Sequence, residues 1–194
     1  TSSAVHTIGQ SIRFNDDDSA QMSRTPSSSS TSQRAFSISM WVKRGNLTTG
    51  NRGLISWEGA NDNNELRLFF DDNALVWSYY PASNVANITT NRLFRDVSAF
   101  YHILVVSDTE NAVPSERWRM YINGQRETSF SSSTFPSQNT DIALFSSTSY
   151  ATKIGKARSS STNTFDGYLS EIVVIDGQAL DPSSFGLYND SNIW

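Results

Sequence analysis

Apolar residues recur at every second position in one segment after another, and short turn signals separate the segments. Phe36, Ile38, Met40 and Val42 alternate with Ser37, Ser39 and Lys43. Leu66, Leu68 and Phe70 repeat the pattern around Arg67, and Tyr101, Ile103 and Val105 do so again. Trp118, Met120 and Ile122 alternate with Arg117, Arg119 and Tyr121. A period of two places successive side chains on opposite faces of a strand, one buried and one partly wet. Ile103-Leu104-Val105-Val106 is apolar on both faces, which fits a central strand covered on both sides. The last long strand is expected to carry Tyr168, Ser170, Ile172 and Val174 on one face. Leu169, Glu171, Val173 and Ile175 would take the other.

Gly45-Asn46, Asp71-Asp72-Asn73, Asn123-Gly124 and Asp176-Gly177 punctuate these runs. Asn-Gly and Asp-Gly tolerate the positive backbone angles of a two-residue hairpin turn, so Tyr121 to Arg126 reads as a hairpin tip. Serine loops run from Pro26 to Ser32 and from Ser129 to Gln138. The one good helix start is Asp181-Pro182, with Gly186 ending it after about one turn. Many short strands without crossover helices predict an all-β fold of two packed antiparallel sheets, a jelly-roll sandwich.

With 194 residues the chain fits one domain over 1–194, with residues 1–10 and 188–194 as flanking segments. The absence of cysteine excludes a disulfide scaffold, a thiolate metal site and a cysteine nucleophile. A net charge of -4 without a basic patch argues against a nucleic-acid partner. No continuous apolar stretch approaches membrane-spanning length, and no signal-peptide pattern opens the chain. Serine and threonine supply 49 residues, which suits turns and wet surfaces.

Several segments, in order, carry a resemblance: Ser11 to Asn15, Phe36 to Arg44, Tyr101 to Val106, Arg119 to Gly124, Ile154-Gly155, and Phe165 to Glu171. Together they resemble a laminin G-like domain of the concanavalin A-like lectin and glucanase fold. The resemblance covers about Ser11 to Phe185. A narrower one rests on Trp41 to Gly45, Phe94-Arg95-Asp96, Ile175 to Gly186 and the terminal Asn192-Ile193-Trp194. These are similar to virion proteins of tailed bacteriophages, where the domain occurs in tail fibres, other appendages or on the capsid. The resemblance implies a location on the external surface of a virion. It implies other virion subunits as partners, a homo-oligomer with a trimer favoured, and attachment to a host-surface glycan or protein. The alternative it leaves open is a structural decoration or cementing protein without a receptor.

Glucanases of this fold use paired glutamates on one strand, and retaining chemistry needs the carboxyls about 5 to 5.5 Å apart. None of Glu58, Glu65, Glu110, Glu116, Glu127 and Glu171 has such a neighbour along its strand, so the expectation is a non-enzyme. Of the two histidines, His6 lies in a tail and His102 reads as a structural histidine near a sheet rim; two distant histidines are poor material for zinc. Calcium is the one possible cofactor, because it takes carboxylate and carbonyl oxygens from loops. The acidic turns offer Asp62 with Asp71 or Asp72, and Asp16 to Asp18 supply three further carboxylates. For a glycan, a ring stacked on the sugar beside polar groups would be needed. The candidates are Trp77, Tyr79 and Tyr150 as rings with Asn84, Arg119 and Arg158 as polar partners. The competing reading puts such aromatics in the core. Trp194 is expected to be buried, because a large apolar ring is costly to leave in water.

Overall fold

The computed structural model describes residues 8–59, 64–81, 86–142, 148, 150–157 and 164–194. Two antiparallel sheets face each other, as the alternation requires. The six-stranded sheet runs, edge to edge, β1 (Ile12–Phe14), β13 (Gly167–Asp176), β3 (Ala35–Arg44), β8 (Tyr101–Asp108), β9 (Trp118–Ile122) and β10 (Gln125–Glu127). The seven-stranded sheet runs β11 (Phe130–Thr134), β7 (Ala86–Leu93), β6 (Ala74–Pro81), β5 (Asn64–Asp71), β4 (Asn51–Glu58), β12 (Thr152–Ile154) and β2 (Met22–Arg24). Among the described residues helix is confined to one turn, α1 (Pro114–Arg117), and a 3-10 turn over Pro182–Ser184. The 3-10 turn stands where Asp181-Pro182 places it. The α1 turn has no side-chain cap and escapes a reading based on caps.

Inward positions of β3, β8, β9, β4, β5 and β6 fill the space between the sheets. Phe36, Ile38, Met40 and Val42 are all buried there, as are Leu66, Leu68 and Phe70. Trp77 stacks on Trp118 across the sheets with ring centroids 3.9 Å apart and planes 10° apart. Phe36 meets Trp77 edge-on at 6.2 Å. Arg44 closes one end of the core. Its guanidinium donates to Asn73 Oδ1, the Phe94 carbonyl and the Asp72 carbonyl, and lies 4.8 Å from the centre of the Phe70 ring. Burial lowers its pKa, and carbonyl dipoles stand in for water around the charge.

Strand β13 differs from its expected pattern. Ser170 pairs with Trp41 but Val173 pairs with Ser39, so β13 carries one extra residue. Glu171 absorbs it at φ 48°, a left-handed angle uncommon for a residue with a Cβ. The bulge exchanges the faces. Leu169 before it and Ile172 and Val174 after it all pack toward the core. Tyr168, Val173 and Ile175 stand on the other side. Uniform alternation, read from the sequence, assigned Leu169 and Ile172 to opposite faces.

Candidate functional site

The outer face of the seven-stranded sheet is built from the polar half of each alternating strand. Pairing across β12, β4, β5, β6 and β7 aligns Lys153, Ser56, Arg67, Ser78 and Asn87 in one row. The next row holds Glu58, Glu65 and Tyr80. Side chains directly opposite in such pairs lie about 4.5 to 5.5 Å apart at Cβ. Sequence positions nearly a hundred residues apart are thereby brought into one polar strip.

Two ion pairs organise the strip. Lys153 Nζ lies 2.8 Å from Glu58 Oε2, and Arg67 lies 3.0 Å from Glu65 Oε1. Arg67 also places its guanidinium 4.7 Å from the centre of the Phe69 ring. A hydrophobic patch of Phe69, Val76 and Ala157 borders the strip. Ala157 reaches it because Gly53 has no side chain; a Cβ there would run into the backbone of Lys156 and Ala157. Ser56 Oγ donates to the Lys156 carbonyl at 2.8 Å and pins the same segment to the sheet. Tyr80 stands at the rim, 39% exposed. The strip is largely buried, its charges satisfied by the ion pairs, and Tyr80 is the ring it leaves accessible.

The outer face of the six-stranded sheet is covered over β3, β8 and β9. The chain leaves β13 at Gly177, whose N–H donates to the Ala35 carbonyl, and crosses back over the sheet. Ala179 and Phe185 pack on Leu104, Val106 and Tyr121. Ser39 Oγ and His102 Nε2 are 2.9 Å apart, and the Trp41 and Trp194 rings lie 5.1 and 5.5 Å from the imidazole. Burial lowers the His102 pKa to about 4, against a smaller upward pull from Glu171, so the ring is neutral at pH 7. This serine–histidine pair is sealed from solvent. Trp194 is half-buried within the domain, against His102 and Tyr188 and over Gly124. Within residues 188–194, expected as a flanking segment, Tyr188 and Trp194 rest on the sheet while Ile193 is exposed.

A laminin G model, described as the concanavalin A-like lectin/glucanases superfamily, matches residues 15–184. The chain belongs to that superfamily. No curated protein matches it in sequence. Among solved structures, the binding domain of Paraclostridial Mosquitocidal Protein 1 is similar at 18% identity and a TM-score of 0.62, over 90% of this chain and 41% of that one. Domains LG4-5 of the mouse laminin alpha1 chain align at 13% identity and a TM-score of 0.61, over 93% of this chain and 46% of that one. The chain thus spans less than half of either. The Ruminococcus gnavus IT-sialidase CBM40 bound to alpha2,3 sialyllactose aligns at 12% identity and a TM-score of 0.56, over 86% of this chain and 96% of that one. These likenesses establish the superfamily's sandwich fold.

On this superfamily scaffold the residues singled out in the sequence part company. Trp77 and Tyr79 point into the core, and neither ring offers a face to a ligand. Tyr79 donates its hydroxyl to the Asp141 carbonyl at 3.2 Å. Their strand partners Ser78 and Tyr80 face outward instead. Arg119 belongs to the other sheet, mostly buried, with Nη1 3.6 Å from the Asp181 carboxylate. It cannot join a site on the seven-stranded face. Tyr150 is exposed just ahead of β12, at the end of the sheet where Glu58 lies. Asn84, Arg158 and Asp62 lie outside the described residues.

Of the residues read as calcium candidates, Asp71 ends β5 and Asp72 follows it in the turn, while Asp62 lies outside the described residues. The Asp72 carboxylate already accepts the Gly50 N–H at 2.7 Å. Asp16 and Asp18 accept from Asn46 and Asn15. Among the described residues no three His, Asp or Glu side chains converge on one point.

Sequence reasoning missed Glu58, Glu65, Lys153 and Tyr80 as a set. The usable signal was the outward half of each strand, Glu65 and Arg67 above all, where serine or threonine would have been enough to keep the face wet.

Proposed function

We propose that this chain is a non-catalytic binding module on the external surface of a tailed-bacteriophage virion, attaching a tail fibre or similar appendage to a host-surface glycan. The observation that carries the reading is the rim of the polar strip on the seven-stranded sheet, where Tyr80 is an accessible ring beside the largely buried pairs of Arg67 with Glu65 and Lys153 with Glu58. An aromatic face with polar groups next to it is the usual make-up of a sugar subsite. The fold is shared with a sialyllactose-bound module and a toxin binding domain, which supports a holding role. The phage context rests on the resemblance of Trp41 to Gly45 and the C-terminal run, and with it the expectation of a homotrimer among other virion subunits.

Glu58 and Glu65 are direct cross-strand neighbours, a pairing invisible along one strand. Retaining hydrolysis needs one carboxylic acid to give a proton and one carboxylate to attack. Here each carboxylate is engaged by its own cation, which suits binding instead.

A labelled domain applied to a bacterial glycan array and to a panel of whole bacterial cells tests the reading. Saturable binding is expected, with Tyr80→Ala and Lys153→Ala weakening it at least tenfold. Release of reducing sugar from a bound glycan would overturn the non-catalytic assignment.

A second reading, a cementing module between virion subunits, is favoured by Leu187 at 68% and Ile193 at 63% exposure on the C-terminal segment. Absence of array and cell binding, together with stable incorporation into particles, would decide for it.

A further inference from the structure

The two sheets do not close on each other at the edge formed by β1 and β13 on one side and β12 and β2 on the other. A cavity of about 850 Å³ opens there, between the sheets and away from the polar strip. Ile12, Met22, Ile154, Leu169, Ile172 and Val174 form its aliphatic part, and Arg24, Ser170, Glu171 and Asp176 its polar part. Pro26 and the serines 27–30 form one side of the mouth. The volume falls in the range of small-molecule sites, which are mostly apolar with a few placed polar groups.

Three features argue that the space is built rather than left over. First, β1 covers only Gly167 to Leu169 of the ten-residue β13, and the wall beyond is made by the bulge. The extra residue turns Ile172 and Val174 inward to join Leu169 on this wall, with Glu171 at the lining between them. A non-glycine residue held at φ 48° is retained for this exchange of faces. Second, Thr152 lines the cavity at 5% exposure, and its Oγ1 has no hydrogen-bond partner among the described residues. A buried hydroxyl without a partner is costly, and valine would fill the same shape. Third, Ser30 Oγ, in the serine loop that lines the cavity, is also buried and unpartnered. Its loop is anchored, because the Asp176 carboxylate accepts the N–H groups of Thr31 and Ser32.

We propose that this cavity is a binding site for a neutral aliphatic amphiphile: a saturated acyl chain ending in an uncharged ester or amide carbonyl. The aliphatic walls take the chain. The hydroxyls of Thr152 and Ser30 donate to the carbonyl. No aromatic ring is among the lining residues, which separates this site from a sugar-stacking surface. The Asp176 carboxylate is occupied by its own loop, and Arg24 and Glu171 bring opposite charges to the lining, so a charged head is not called for. The site is independent of the glycan reading and stands or falls without it.

The test titrates the chain with a decanoyl monoacylglycerol below its micelle concentration, read by calorimetry and by melting temperature. One saturable site is expected, with a rise in melting temperature. Ile172→Trp fills the cavity and should abolish binding. Should that variant fail to fold, Thr152→Val carries the test. It is expected to weaken binding by about three- to tenfold, one hydrogen bond's worth. At the same time it should keep or raise the melting temperature of the ligand-free chain, because an orphan hydroxyl has been removed. No saturable binding by the natural chain would overturn the proposal. So would affinity unchanged in both variants, or a Thr152→Val chain that is destabilised and binds normally.

Discussion

The two sheets of this sandwich are made from the same alternating strands, yet their outer faces have opposite fates. On the six-stranded sheet the outward positions include Leu104, Val106 and Tyr121, and the chain folds back to cover them with Ala179, Phe185 and Trp194. On the seven-stranded sheet the outward positions are Ser56, Glu58, Glu65, Arg67, Ser78 and Lys153, tied by ion pairs. An apolar outer face must be buried by something, and here the chain supplies its own cover. A charged outer face keeps its groups only if they find partners. One face is sealed by apolar cover, and the other holds its charges in buried pairs and leaves Tyr80 accessible at the rim.

The largest test of this contrast is Arg67→Ala. It removes the cation from a carboxylate that is almost wholly buried, and breaking such a pair typically costs about 3–5 kcal/mol. Urea unfolding should show that loss, and a paired Glu65→Leu, Arg67→Met replacement should recover most of it.

The covered face should reveal itself through pH. His102 has a pKa near 4 in the folded chain against 6.5 when unfolded, because burial disfavours its charge. Between these values the unfolded chain binds a proton that the folded chain does not. Stability is therefore full above pH 6.5 and falls as pH drops toward 4, by about 3 kcal/mol in all. His102→Gln should flatten that part of the profile while leaving the response to acid below pH 4. A profile identical in the natural chain and the variant would show that the histidine is not sealed.

Gly124→Ala tests the seal from outside. Gly124 has φ 75°, and a Cβ would run into the Trp194 ring. About 1–2 kcal/mol should be lost, with a red shift of tryptophan emission as the indole lifts. The smallest stability effect belongs to Tyr80→Ala at the exposed rim of the seven-stranded sheet. It should change stability by less than about 0.5 kcal/mol, so any loss of glycan binding would report recognition alone.

The architecture was legible because alternation and turn pairs report local geometry. Strands β3, β8 and β9 lie where Phe36, Ile103 and Trp118 place them, and Asn123-Gly124 takes positive φ at both residues. Double-sided burial of Ile103 to Val106 followed from composition, and β8 does sit between β3 and β9. The bulge at Glu171 was not legible. Its cause is the match between β13 and β3, and nothing local distinguishes Glu171 from its neighbours. The site was only half visible for the same reason. The large rings of β6 drew attention, but the face they occupy was decided by the pairing of Trp77 with Trp118, far away in sequence. Glu58 and Glu65 became neighbours through strand register, which spacing along one strand cannot show.

The folded-back C-terminal segment also sets how the domain meets force. A pull at Trp194 would lift the indole from Gly124, then free Tyr188 from the Asn123 carbonyl, then draw Phe185 off Tyr121, one contact at a time. No ladder of β13 bears tension until those have parted. The sandwich thus carries a sacrificial tether on one side, and mechanical load entering there is dissipated by peeling before it reaches the sheets.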